Sequence, residues 1–405
     1  MEEGERVVKI QKDTEEVEHK QQEIWSWGAG TDGQLGTGKL EDEHTPQFLI
    51  NLSNSISSFG HISLLSCGGA HVIALTSDGK VLSWGRGASG QLGHGEKLDF
   101  KLDFCFVLFF CHQKLTPPDS GCLFTCGDGS FGQLGHGDYH SCSSPMEVLF
   151  FNSKHVEQVA CGMRHTLVLS KGNIEAYLCW LSLLVAGNTG EKVYGFGSGK
   201  RGQLGVSEDK IKSLSFPEPC SGIQGAEVVA VFANGDQSAA LSADGCLYTW
   251  GRGFSSNSNT CIPQSLPSTL YFKQAALGWN HALILTSEDE VFMLGGSNHG
   301  VLSEPQKTIH LHNVSGKSNF SKVTGLGEKK VVQIAAGAEH SAIVTGQLEN
   351  GQIYSWGWGE HGQLGLGGIN DHTVPQLVMA EDNSMISKVY CGSGFTFALR
   401  QSLDC

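Results

Sequence analysis

Apolar and polar positions along the chain alternate in short runs, with no sustained helical period. Residues 62–84 read ISLLSCGGAHVIALTSDGKVLSW. A run of strand length, ISLLSC, meets glycines at Gly68-Gly69 and then His71. A second run, HVIALTS, follows. Asp78-Gly79 then predicts a hairpin, because Asp-Gly accepts the positive φ of a type I′ turn. A third run, KVLSWG, leads into a glycine-rich loop. The pattern predicts three short strands joined by tight turns.

The loop raises a competing reading. Gly28, Gly30 and Gly33 satisfy G-x-G-x-x-G, the spacing of a dinucleotide-binding turn. That chemistry needs a helix directly after the glycines, whose N-terminus holds the pyrophosphate. Here Gln34-Leu35-Gly36-Thr37-Gly38 follows, and two further glycines argue against a helix. The motif also recurs. GRGASGQLG runs from Gly85 to Gly93, GDGSFGQLG from Gly127 to Gly135, GSGKRGQLG from Gly197 to Gly205, and GWGEHGQLG from Gly357 to Gly365. Weaker copies begin at Trp250 and Leu294. A dinucleotide fold needs one such loop, so this is a repeat signature. The copies lie 42 to 70 residues apart, the spacing of propeller blades.

The glycine turn before the second strand recurs as well. CGMRH ends at His165, LGWNH at His281 and AGAEH at His340, while ANGDQ (233–237) and CGSGF (391–395) are altered copies. The repeat positions are therefore Gly28, Gly30, Gly33, Gly36, Gly85, Gly93, Gly127, Gly135, Gly197, Gly205, Gly357 and Gly365 in the loops. In the turns they are His71, His165, His281 and His340.

G-Q-L-G loops alternating with A-G-x-x-H turns resemble the regulator of chromosome condensation repeat family, in the manner of its plant-type members. The resemblance covers about residues 23–401. It implies an all-β fold: a seven-bladed β-propeller closed by pairing the N-terminal and C-terminal strands. Each blade would be a four-stranded antiparallel sheet. Residues 23–38 would complete the blade begun by residues 386–401, which removes two open edges. Residues 1–22 are charged, lack apolar periodicity, and are expected to be a disordered lead-in.

Two stretches break the pattern. Residues 96–121 contain a tandem KLDF and an apolar run from Phe104 to Cys111, and lack a turn-and-hairpin. The run is shorter than the ~20 apolar residues that span a bilayer. The blade ending at Cys126 is expected to be about two strands short. Residues 173–190 interrupt a hairpin, and removing Ile174–Asn188 leaves KGN-TGEKVYGFG, an ordinary turn and strand. Both stretches read as products of a non-standard transcript.

Composition narrows the function. Formal net charge is −14, from 27 Lys and Arg against 41 Asp and Glu, which disfavours a nucleic-acid partner and suits a basic protein partner. The 13 cysteines form no C-x-x-C pair and no cleavable signal is visible, so reduced thiols in cytoplasm or nucleus are expected. One turn histidine per blade cannot converge on an ion. Imidazoles that satisfy turn backbone groups are expected instead. Trp27, Trp84, Trp250 and Trp356 end equivalent strands and should pack between blades. No catalytic, cofactor-binding or metal-binding residues are identified.

Three function classes follow. The first is a non-enzymatic scaffold for protein–protein interaction. The second, implied by the resemblance, is a guanine-nucleotide exchange factor for a Ran-like small GTPase. The third is UV-B photoreception, since a plant UV-B photoreceptor of this family uses tryptophans in G-W-R-H-T turns. Only Trp279 matches, with Asn280 in place of Arg and with Asn234 and Ala338 where neighbouring tryptophans belong.

Overall fold

The computed structural model describes residues 22–57, 60–96, 98–107, 122–152, 154–171, 192–207, 212–223, 225–252, 259–295, 320–346, 351–378 and 385–401. The expected lead-in lies outside them except for Gln22, which is not a loose residue but the first of a strand, and most of the two anomalous stretches lie outside them too.

The strands run in chain order. They begin with β1 (Gln22–Gly28) and β2 (Glu43–Phe48). A first sheet comprises β3 (Ile62–Cys67), β4 (His71–Thr76), β5 (Val81–Gly87) and β6 (Leu98–Val107). The second comprises, among the described residues, β7 (Phe124–Gly127) and β8 (Cys142–Glu147). The third holds β9 (His155–Cys161), β10 (His165–Lys171), β11 (Lys192–Ser198) and β12 (Ser213–Pro219). The fourth holds β13 (Val228–Asn234), β14 (Gln237–Ser242), β15 (Leu247–Arg252) and β16 (Asn259–Ser265). The fifth holds β17 (Phe272–Leu277), β18 (His281–Thr286), β19 (Val291–Gly295) and β20 (Phe320–Lys322). The sixth holds β21 (Val331–Ala336), β22 (His340–Thr345), β23 (Ile353–Gly357) and β24 (His372–Leu377). Last come β25 (Ile386–Cys391) and β26 (Phe395–Gln401).

The chain ends share a sheet, ordered β2-β1-β26-β25. Gln22–Gly28 pairs antiparallel with Gln401–Phe395 without a break. Among the described residues there are thus six four-stranded sheets and one two-stranded sheet.

Three physical features place these strands. The second strands β10, β14, β18 and β22 are buried at nearly every position, because neighbouring sheets cover both faces. Most of the outermost strands carry a proline: Pro46, Pro145, Pro217, Pro263 and Pro375. Proline lacks an N–H, so it fits an edge strand and blocks further pairing. The innermost strands are clasped by glutamines. Gln158 Nε2 donates to the Val231 carbonyl (3.0 Å), and its Oε1 accepts from the Val231 N–H (2.9 Å). Gln333 holds both backbone groups of Val389 the same way, at 2.9 Å each.

The anomalous stretches are partly corrected. Residues 98–107, read above as breaking the pattern, form the outer strand β6, with Ser83 opposite Cys105 and Gly87 opposite Leu98. This strand follows its glycine loop as β2, β8 and β24 follow theirs, but it has no proline. Around residues 172–191, Ser170 and Lys192 face each other, so β10 and β11 pair up to the point of interruption. Among the described residues no helix is long and apolar enough to cross a membrane.

Candidate functional site

At one end of the first, third, fifth and sixth sheets the G-x-x-H turn meets the glycine loop of the same sheet. His165 faces Gly197, His281 faces Gly295 and His340 faces Gly357 in register. Both connections therefore emerge on one rim.

The turn spacing has a steric cause. The histidine ring folds back over the glycine three residues earlier. A Cβ on Gly162 would lie 2.1 Å from His165 Cε1, and one on Gly337 would lie 2.1 Å from His340 Cε1. Gly278 meets His281 at 2.2 Å and Gly68 meets His71 at 2.3 Å. Real side chains do not approach so closely, so only glycine fits.

The imidazoles do not satisfy the turn backbone, contrary to the expectation from sequence. Nε2 reaches the hydroxyl of the next sheet instead. His165 lies 2.8 Å from Ser238 Oγ, His281 3.1 Å from Ser341 Oγ and His340 3.0 Å from Thr396 Oγ1. Ser238 donates its proton to the Gln203 carbonyl (2.7 Å), and Thr396 donates to Gln363 (3.0 Å). A hydroxyl has one proton, so it accepts from His165 or His340. Those rings carry their hydrogen on Nε2, and Nδ1 is buried without a partner. Burial lowers the pKa of His165 and His340 to about 3, and that of His281 and His71 to about 4. All are neutral at pH 7.

The glycine loops complete this joint. In three of the G-Q-L-G loops the Gln carbonyl accepts a tryptophan N–H from the following sheet. Trp84 donates to Gln34, Trp250 to Gln203 and Trp27 to Gln363, all at 2.9 Å. In the two-stranded sheet Cys126 stands in the tryptophan's place, with Sγ 3.9 Å from the Gln91 carbonyl. The loop's final glycine lies under the same ring. A Cβ on Gly36 would meet Trp84 at 3.2 Å, one on Gly365 would meet Trp27 at 2.8 Å, and one on Gly135 would meet Phe196 at 2.8 Å. Gly93 and Gly205 contact Cys126 and Trp250 similarly. Gly28, Gly85, Gly127, Gly197 and Gly357 hold φ between 98° and 112°, where side chains are strained. Gly33 also has positive φ, and a Cβ on Gly30 would strike the Glu41 carbonyl.

The sequence reading missed the hydroxyls and the glutamine clasps. Their signals were present. A Ser or Thr follows His165 and His340, and Gln stands at one position in β9, β17 and β21.

The structure also corrects one alignment. Gln237 faces Gly251 as His281 faces Gly295, so Gly235, and not Asn234, matches Trp279. The other matching positions hold Gly69, Met163, Ala338 and Ser393. Trp279 is therefore the one tryptophan among the described turns, and it is 37% exposed. The turns are linked to one another by backbone bonds. Trp279 N–H reaches the Ala338 carbonyl (2.8 Å), Ala338 N–H reaches Ser393 (3.1 Å), and Ser393 N–H reaches Gly68 (3.2 Å). Among the described residues, no group of three His, Cys, Asp or Glu side chains is arranged to hold a metal ion.

Comparisons with known proteins agree with this geometry. The chain is 27% identical over 389 residues to the ultraviolet-B receptor UVR8 of Arabidopsis thaliana, covering 93% of this chain and 70% of that one. It is 28% identical over 410 residues to the secretion-regulating guanine nucleotide exchange factor of Bos taurus, covering 93% and 83% respectively. The solved structure of Prp20p from Saccharomyces cerevisiae superimposes with a TM-score of 0.74 at 22% identity, covering 95% of this chain and 92% of that one. The model of the RCC1-like domain matches residues 23–398, and the chain belongs to that family of β-propellers.

Proposed function

We propose that the chain is a non-enzymatic propeller scaffold whose turn-bearing rim binds a protein partner, in the cytoplasm or nucleus. The reading carries with it a seven-unit ring: six full sheets, the two-stranded sheet as a shortened seventh unit, and closure through β1 and β26. The observation that carries it is where the repeat's polar chemistry goes. The turn imidazoles, hydroxyls and loop carbonyls are consumed in joints between sheets, while Met163, Trp279 and the loop tips are left exposed on one rim. Such a rim offers shape and charge to a partner. Affinity purification from cell extract, with the bound proteins identified by mass spectrometry, tests the reading. A chain that retains no protein above a denatured control overturns it.

A second reading has its own support. Similarity to a secretion-regulating guanine nucleotide exchange factor over most of both chains favours guanine-nucleotide exchange, and the repeat resemblance names a Ran-like GTPase as the protein it would act on. Purified protein would then accelerate release of labelled GDP from Ran by orders of magnitude. Unchanged release at micromolar protein removes this reading and leaves the scaffold intact.

A further inference from the structure

The turn-bearing rim has an uneven charge. In five of the sheets the residue after the strand-end glycine donates its N–H to the turn residue preceding the histidine position. The pairs are Arg86 with Ala70, Ser198 with Arg164, Arg252 with Asp236, Trp358 with Glu339 and Ala29 with Gly394, at 2.7 to 2.9 Å. Arg86 and Arg252 thus hold the donor position in the first and fourth sheets, and Arg164 holds the acceptor position in the third, all on the same rim. Lys200 and Arg201 extend this group on the third sheet's glycine loop. All five are exposed.

Four of the five arginines among the described residues lie on this arc, and none is paired with a carboxylate there. Several cations elsewhere are paired. Lys39 pairs with Glu41, Lys171 with Glu157, Lys273 with Asp289, Lys322 with Glu290 and Arg400 with Glu23. An excess of carboxylates makes pairing easy, so unpaired arginines gathered on one arc are notable in a chain of net charge −14. Arg164 is also held in place, with its guanidinium 4.9 Å from the centre of the Phe131 ring.

We propose that this arc, from Arg86 through Arg164 and Arg201 to Arg252, is the docking site for an acidic protein segment. The proposal rests on the scaffold reading and names the partner's chemistry, reversing the basic partner expected from net charge alone. Guanidinium forks take carboxylates bidentately, and a fixed fork loses less freedom on binding. A hollow of about 430 Å³ at the Arg86 end is lined by His71, Arg86, Ser89, Gln91 and Trp279, so it can seat one apolar residue of that segment. A long polyanion fits poorly. Asp128 and Asp236 stand within the arc, and Glu339, Glu360 and Asp32 occupy the rest of the rim. A short, extended acidic peptide can avoid them, whereas a nucleic-acid duplex would cross them.

The test uses the full chain and a fluorescein-labelled oligoglutamate peptide ending in leucine, read by anisotropy. Binding is expected, weakening as salt rises because the contacts are exposed. The double reversal Arg164→Glu with Arg201→Glu should weaken it at least about tenfold. Lys192→Glu, at the opposite end of β11, should leave it unchanged. If the double reversal fails to fold, Arg201→Gln and Arg252→Gln carry the test singly, each expected to cost about threefold. Absence of peptide binding, equal loss with Lys192→Glu, or equally tight binding of a short DNA duplex overturns the proposal. A chain that recruits a protein from extract regardless of these reversals keeps the scaffold function and loses this site.

Discussion

A histidine at the end of a G-x-x-H turn is a proton-dependent joint. His165, His281 and His340 are buried neutral, with pKa values held at about 3 to 4 by burial. The unfolded chain titrates near 6.5. The fold therefore favours the unprotonated form, and its stability is complete above pH 6.5. As pH falls from 6.5 toward 4, each such histidine withdraws about 1.4 kcal/mol per pH unit. The melting temperature should fall steeply across that window. His340→Gln should flatten the fall by about a quarter to a third. Gln237 already fills the equivalent position, fully buried, so the substitution fits the fold. A variant whose pH profile matches the parent in slope would show that the joint is not what titrates. The glycine beneath the ring gives an independent check. Gly337→Ala places a Cβ 2.1 Å from His340 and 2.4 Å from the Gly392 carbonyl. It should cost at least about 1–3 kcal/mol in denaturant unfolding.

At the scale of strands and sheets, the two edges of each sheet solve different problems. The outer edge must refuse partners, and proline does this. The inner edge must hold its neighbour although neighbouring inner strands run too far apart to share a ladder. Gln158 and Gln333 bridge that gap with amides that copy the backbone's own donor and acceptor. Gln333→Leu keeps the volume and leaves the Val389 N–H and carbonyl unpaired. It should cost about 1–3 kcal/mol, with faster hydrogen exchange at the Val389 amide. Unaltered exchange there would mean the clasp is dispensable. The sequence made the hairpins legible because Asp-Gly and alternating apolar residues are local signals. The missing turn of the second sheet is likewise a local absence, and the described residues there form two strands. Clasps, hydroxyl acceptors and the rim's charge were not legible, because their partners lie 33 to 73 residues away and only the fold brings them together. Strand β6 was missed because LDFKLDFCFV lacks the proline of its counterparts.

For the whole molecule, everything depends on how the ends meet. β1 lies between β26 and β2, so it is a central strand supplied by one terminus to a sheet supplied by the other. It brings more than backbone pairing. Ile24 and Trp27 are buried, and Trp27 Nε1 reaches the Gln363 carbonyl of the sixth sheet. Gln22 clasps both backbone groups of Ile62 in the first sheet, at 2.7 and 3.2 Å. One strand thus touches the sheets on either side. Deleting residues 1–20 leaves all of these contacts in place and should hardly change the melting temperature. Deleting residues 1–30 removes them together. The loss of a buried tryptophan alone costs about 3–5 kcal/mol, against the roughly 5–15 kcal/mol that holds a domain folded. The longer truncation should therefore melt far below the shorter one, or fail to fold. Adding a synthetic peptide of residues 21–48 should restore part of the difference, because the strand's two partners remain in the truncated chain's sheet and core. If the two truncations melt alike, the N-terminal strand does not lock the fold, and the sheets must hold each other through the histidine and tryptophan joints alone.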